Sequence, residues 1–468
     1  MQGKMFVVMG MLLAAGAAGA APPQPIHLEA ADARLVGVTV ATTIPGYTGR
    51  GYVGNFAPVG AKIVFKLSGV KPGLYGVSIR YSAPMGEKSY DLVVNGATSS
   101  GTLPKTGNVF VTRPAGKVEL AAGRNTLAVE RGWGYYFVTS LDLDPLLPTP
   151  LNKPRATLSD PKASKEARAL MRRLIGLYGD KTLSGQYSEA DNDYIQQVTG
   201  RAPAIYAGDF IDYSPSRVAH GAKSDATDRM LARAKAGQII TASWHWNAPT
   251  GLLDREITDA KGKKLDAHWY KGFNTNATTF DVRKALANPK SPEYALLLRD
   301  MDAVAAQLQR LSDAHVPVLW RPLHESKGGW FWWGAKGPGP FKQLWRLMHD
   351  RLTNVHHLHN LIWVDSSGGD PAWYPGDDAV DVVGVDAYPS DITDPLSITW
   401  DTLTGHSHGR KLLALTEFGG VPDIDKMRRY RVCPAYFVSW SGGLGPKKNP
   451  KNSLIRIYHS RNVATKGG

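Results

Sequence analysis

The sequence holds a single cysteine, Cys433, so no intramolecular disulfide can form and stability must come from buried area in domains large enough to supply it. In Val432-Cys-Pro-Ala-Tyr-Phe437 that thiol reads as a structural core residue. Beyond the N-terminus no segment approaches about 20 apolar residues, which excludes a polytopic membrane protein. Basic residues outnumber acidic ones by 55 to 41, yet no Arg-rich arm or basic helix gathers them, so no nucleic-acid partner is expected. The chain also lacks a Gly-rich phosphate loop after a first strand. His356-His357-Leu-His359 ends an amphipathic helical pattern with no Cys or carboxylate at ligand spacing, and reads as surface. Neither a metal nor a cofactor is expected.

What is present divides the chain. Its length of 468 residues predicts two or three domains. Lys4, the apolar run from Phe6 and small residues through Ala21 before Pro22-Pro23 predict a cleavable signal peptide over 1–21, and so a secreted or periplasmic chain with no membrane attachment after cleavage. Residues 26–144 show short alternating runs, such as Leu74-Tyr-Gly-Val-Ser-Ile-Arg-Tyr81, punctuated by Lys71-Pro-Gly73 and Asn95-Gly96; this predicts an antiparallel β-sandwich. Prolines 145, 148, 150 and 154 mark a linker over 145–156. From 157 to 468, eight apolar strands alternate with helical patterns, clearest over Pro292–Leu311 and Phe341–Leu352. The expected fold class is therefore α/β, a (β/α)8 TIM barrel preceded by an all-β β-sandwich; a doubly wound open sheet is the competing architecture.

In such a barrel, active-site groups project from the C-terminal ends of the strands. Here those ends carry Gln186, Tyr187, Asp209, Trp244, His245, His324, Glu325, Asp365, Asp386, Tyr388, Glu417 and Trp440. Glu325 is expected to close the fourth strand and Glu417 the seventh, each after an apolar run that cannot solvate a carboxylate. Facing one another across the mouth, two such groups can cleave a glycosidic bond, one as acid and one as nucleophile or base. Aromatic faces that pack on the apolar side of a pyranose are near: Trp330, Trp440, Trp244 and Trp269 are taken as contacts, Trp332 and Trp333 as packing. Asp209 and Asp212 fit a distal part of the cleft or an N-cap equally well.

Arg321-Pro-Leu-His-Glu325, followed by Gly328-Gly-Trp-Phe-Trp-Trp-Gly334 and by Leu415-Thr-Glu-Phe-Gly419, closely resembles glycoside hydrolase family 26, best known for endo-β-1,4-mannanases. The resemblance spans about Ser159 to Ser460. It implies a retaining double displacement with Glu325 as acid/base and Glu417 as nucleophile. It further implies substrate-binding roles for His245, His324, Trp330, Asp386, Tyr388 and Trp440, and a β-mannan-type polysaccharide as substrate for a monomeric enzyme. Ser441 stands where some family mannanases have Arg, and Ser326-Lys327 departs from the commoner Met or Asn. Other β-glycans cleaved in the family (β-1,3-xylan, mixed-linkage glucan) and a non-catalytic sugar-binding protein are the rivals. Ile26-His-Leu-Glu-Ala-Ala-Asp32 and Leu127-Ala-Val-Glu-Arg-Gly-Trp-Gly134 resemble carbohydrate-binding module family 35, with Trp133 as the ligand-facing aromatic. That family often holds a structural calcium, but Ala31 replaces an expected Glu beside Glu29 and Asp142.

Overall fold

The computed structural model describes residues 24–147 and 150–468, so the signal segment expected over 1–21 and positions 148 and 149 lie outside the described residues. Two antiparallel sheets come first. One pairs Thr39–Ala41, Tyr52–Gly54, Phe137–Pro145, Gly73–Ser82 and Val111–Leu120 in that order, with Ile26–Glu29 added to Phe137–Pro145; the other runs Arg34–Val36, Lys62–Val70, Gly123–Trp133, Lys88–Val94, Ala97–Leu103. Lys88–Val94 alternates buried and half-buried positions along its length, the pattern of a strand with one face on a core. Ile63, Phe65, Tyr75, Ile79, Leu127 and Val129 are among the side chains that fill the space between the sheets.

The second unit is a closed barrel of eight parallel strands: Thr182–Tyr187, Ile205–Asp209, Ile239–Ser243, Val318–Arg321, Leu361–Asp365, Val382–Ala387, Leu412–Phe418 and Tyr436–Ser439. The first strand pairs with both the second and the eighth, which closes the ring, and also carries the short strand Val463–Ala464. Thr182–Tyr187 and Leu412–Phe418 are buried at every position, because helices cover the outer face and packed side chains the inner one. Helix starts follow local chemistry. Ser164 accepts from the Ala167 amide ahead of Lys165–Leu177, and Ser291 does the same for Tyr294, with Pro292 in the first turn of Pro292–Asp313. Among the described residues no helix is long and apolar enough to cross a membrane.

Two details depart from the sequence reading. The fourth strand ends at Arg321, not at Glu325, because Pro322 has no N–H for the ladder and Leu323 and Glu325 take left-handed backbone at φ +52° each. The long connection after the third strand holds a hairpin, Arg255–Thr258 with Lys264–Ala267. Its strands are mostly exposed and polar, so no apolar run announced them.

The two units are joined by side chains as well as by the connecting segment. Helix Ser397–Ser407 of the barrel lies against strands Ala97–Leu103 and Val111–Leu120. Lys117 pairs with Asp401 there, the Lys117 amide donates to Ser397 Oγ at 3.1 Å, and Ile398 packs against the sandwich core. Gly116, at φ +90°, admits this approach: a Cβ at that position would collide with Ile398.

Candidate active site

At the C-terminal rim of the barrel a cavity of about 710 Å³ is lined by His245, Glu325, Trp330, Asp386, Tyr388, Glu417 and Trp440, together with Lys327, Leu444 and the loop Ser366–Gly368. Glu325 and Glu417, distant in sequence, thus face the same space.

Glu417 lies inside the seventh strand, where the register to both neighbouring strands slips: between Val385 and Asp386 on one side, between Leu415 and Phe418 on the other. Such irregularities re-aim side chains at strand ends. Its carboxylate is nearly inaccessible and accepts from Arg321 Nη2 at 2.6 Å and from the Tyr388 hydroxyl. Arg321 is the hub. Its other terminal nitrogen donates to Asp386 at 2.6 Å, and Nη2 also donates to the Tyr187 hydroxyl at 2.8 Å. Burial pushes Glu417 up from the ordinary carboxylate range, with the charges of Asp386 and Glu325 adding to the push and Arg321 and Tyr388 opposing it. A guanidinium shared by two buried carboxylates opposes the desolvation that favours their neutral forms.

Glu325 is built differently. Its left-handed backbone is held by the Gly328 amide on the Glu325 carbonyl at 3.0 Å and by the Trp333 indole on the His324 carbonyl at 2.9 Å. Gly334 passes so close beneath that a Cβ there would strike the Ser326 carbonyl. The Trp330 indole donates to the Glu325 carboxyl at 2.9 Å, and no cation pairs with it among the described residues. Burial, then repulsion by Asp386, raises the Glu325 pKa above its usual value, so the protonated form is favoured.

A third group lies beside this pair. Asp209 binds the His245 ring at Nδ1 and its amide at 3.0 Å, and His245 Nε2 faces His324 Nε2 at 3.1 Å. Burial is the largest single effect on His245 and lowers its pKa, but the charge and hydrogen bond of Asp209 together with the charge of Glu417 make the net shift upward; His324 is held far below its usual value by burial and by the charges of Arg321 and His245. His245 thus directs its Nδ1–H to Asp209, and one hydrogen is shared between its Nε2 and that of His324.

The aromatic set divides. Trp330 is 52% exposed on the cavity wall, and Trp440 rests on Tyr187 with ring centroids 4.6 Å apart, its carbonyl fixed by Gln186 at 2.7 Å. Trp244 is corrected: it is 1% exposed, stacked on Trp246 at 4.2 Å with its indole on Ser214, because the polar rim begins one residue later at His245. Trp269 stacks on His220 at 4.8 Å and lies outside the lining of this cavity. His324 is also corrected from contact to support, since it is buried behind His245, Phe331 and Trp333. Trp332 and Trp333 are buried. Asp209 caps the Ile211 amide at 2.8 Å while orienting His245, and Asp212 pairs with Arg217.

Sequence reasoning gave Arg321 no role, although an arginine ending the apolar run Val318-Leu-Trp-Arg raises the same solvation problem as the two glutamates. It also passed over the ion pair of Lys327 with Asp370, 2.9 Å apart beside the cavity. In the sandwich, His27 bridges Asp142 at 2.5 Å and Glu29 at 2.9 Å, and both carboxylates raise its pKa, Glu29 most. The imidazole stands between the carboxylates that would otherwise hold a calcium ion, so these residues do not fit one. Trp133 is 60% exposed, with Lys88 over its ring at 5.8 Å.

The model of glycosyl hydrolase family 26 matches residues 159–468, and that of carbohydrate binding module family 35 matches residues 26–146. The chain belongs to glycosyl hydrolase family 26. It is a glycoside hydrolase carrying a family 35 module. A mannan endo-1,4-β-mannosidase of Thermothelomyces thermophilus is 44% identical over 440 residues, covering 93% of this chain and 89% of the relative. The crystal structure of a Podospora anserina β-(1,4)-mannanase with the same pair of family domains aligns at TM-score 0.68 and 42% identity over 95% of this chain and 98% of the other. A ruminal family 26 endo-β-1,4-mannanase aligns at TM-score 0.69 and 28% identity over 94% and 97%.

Proposed function

We propose that the protein is a secreted, retaining endo-β-1,4-mannanase, acting as a monomer. Glu417 attacks the anomeric carbon while the bond to the leaving oxygen breaks, and Glu325 gives that oxygen its proton. Water then loses a proton to Glu325 and attacks the same carbon, freeing Glu417. The carrying observation is the asymmetry of the donors: burial pushes both carboxyls upward, but Glu417 accepts from a guanidinium and a phenol, which oppose that push and favour the anion, whereas Glu325 has only an indole donor. The family relatives, named as endo-acting on mannan, supply the substrate class.

His245, Trp330, Trp440, Asp386 and Tyr388 are the residues proposed to hold the sugar, with Trp133 as the aromatic of the module. The domains proposed are 26–144, the linker 145–156 and 157–468, after removal of 1–21; the N-terminal sequence of protein recovered from culture medium tests the last point. Glu417→Ala should reduce hydrolysis of β-mannan to background with the fold intact, and wild-type rates would reject the assignment. NMR of the first-formed product distinguishes the mechanism: a β-configured reducing end supports retention, an α-configured one overturns it. Parallel assays on mannan, galactomannan, β-1,3-xylan and lichenan test the substrate, and faster cleavage of either of the last two would replace mannan.

A further inference from the structure

We propose that a groove between the two domains is a distal binding site for the same neutral polysaccharide chain that occupies the catalytic cavity; this rests on the hydrolase reading above. The groove has a volume of about 320 Å³ and takes its walls from both units: Ser89, Ser100, Thr102 and Arg113 from the sandwich, Thr399 and Thr402 from helix Ser397–Ser407. Gly368 lines this groove and also the cavity that holds Glu325 and Glu417, so the two spaces adjoin at the loop after the fifth strand.

The lining has the chemistry of a sugar site. Its side chains are mostly hydroxyls, which both donate and accept, and it contains no carboxylate. Arg113 is half-buried, and its guanidinium has no hydrogen-bonded or ion-paired partner among the described residues, leaving donors directed to whatever enters. Occupation of the groove by a chain already held in the cavity turns a second binding event into an intramolecular one, so weak contacts there suffice.

Geometry supports continuity and rigidity. Ser89 pairs across strands with Thr102 on one side and with Trp133 on the other, so the exposed indole stands one strand beyond the groove in the same row. The Lys117–Asp401 pair, the Ser100 amide on Asp394 at 3.3 Å and the seating of Ile398 against the sandwich fix the two walls relative to each other. A chain leaving the cavity past Gly368 therefore meets a preformed path.

The test uses the full-length enzyme and variants Arg113→Ala and Thr402→Trp, the second chosen to fill the groove from an exposed helix position. Values of kcat/KM are compared for mannotetraose, mannooctaose and polymeric mannan. The expected result is a loss that grows with chain length, about tenfold on mannan for the removal of contacts to a charged donor, through KM more than kcat. Loss of the same size at every length would mean that the variants disturb the fold, and no loss at any length would mean that the groove is idle; either overturns the proposal while leaving the mannanase reading in place. If the wild-type enzyme cleaves none of these substrates, the mannanase reading fails first and takes this inference with it.

Discussion

The barrel rim and the sandwich handle charge in opposite ways. In the sandwich, ion pairs lie in solvent: Arg50 and Asp32 are 63% and 64% exposed, and Lys62 and Glu130 about a third. At the rim, Arg321, Asp386 and Glu417 form a linked set with side chains at most 5% exposed. Exposed pairs of the first kind contribute about 0–1 kcal/mol. Buried clusters rarely beat a hydrophobic replacement in stability, so the difference marks where function, not folding, selects the residues.

Removing the hub breaks the comparison most severely. Arg321→Met leaves two carboxylates buried without their cation, at a cost of about 3–5 kcal/mol, and activity should fall to background. Denaturant unfolding checks the first part. A triple variant, Arg321→Met with Asp386→Asn and Glu417→Gln, should recover most of the stability and none of the activity; recovery of neither would show that the cluster holds the barrel together and is no mere device of the site.

Next in size is Glu325→Ala, expected to lower kcat/KM on mannan by about 10²–10⁴-fold, the usual worth of a positioned acid/base. An aryl mannoside whose leaving group departs without a proton should lose far less in the first step. Equal losses on both substrates would deny Glu325 the acid role.

The sandwich enters through its docking surface. Gly116→Val forces a side chain into Ile398 and should cost about 1–3 kcal/mol, as overpacking does. Heating curves should then separate into two transitions, one per unit. A single unshifted transition would mean that the contact through helix Ser397–Ser407 contributes nothing.

Most of the architecture was legible from patterning, because strands covered on both faces read as apolar runs and strands covered on one face alternate. The two glutamates were legible for a related reason: a carboxylate after an apolar run needs an explanation. The same logic holds for Arg321, but sequence order alone does not separate a buried arginine from one on the surface. Trp244 and His324 could not be placed correctly from order alone. A residue at a strand end points into the mouth or behind it according to a backbone turn, and at Leu323 and Glu325 that turn is left-handed with no glycine to signal it. Contacts between the domains were equally invisible, because Lys117–Asp401 joins residues 284 positions apart.

The finest distinction concerns protons. In the proposed mechanism Glu417 is ionised to attack and Glu325 protonated to donate, so activity should fall at low pH as Glu417 gains a proton and at high pH as Glu325 loses one. Both groups are shifted upward, which places both limbs above those of ordinary carboxylates, as macroscopic values of an interacting set. Tyr388 donates to Glu417 and so favours its anion. Tyr388→Phe removes that donor, and kcat/KM at the optimum should fall roughly tenfold, the low end for a hydrogen bond to a charged group. The acidic limb should move to higher pH, because the proton now competes with one donor fewer, while the basic limb, set by Glu325, stays in place. A profile lowered uniformly with neither limb displaced would mean that Tyr388 holds the sugar and leaves the nucleophile's proton to Arg321 alone.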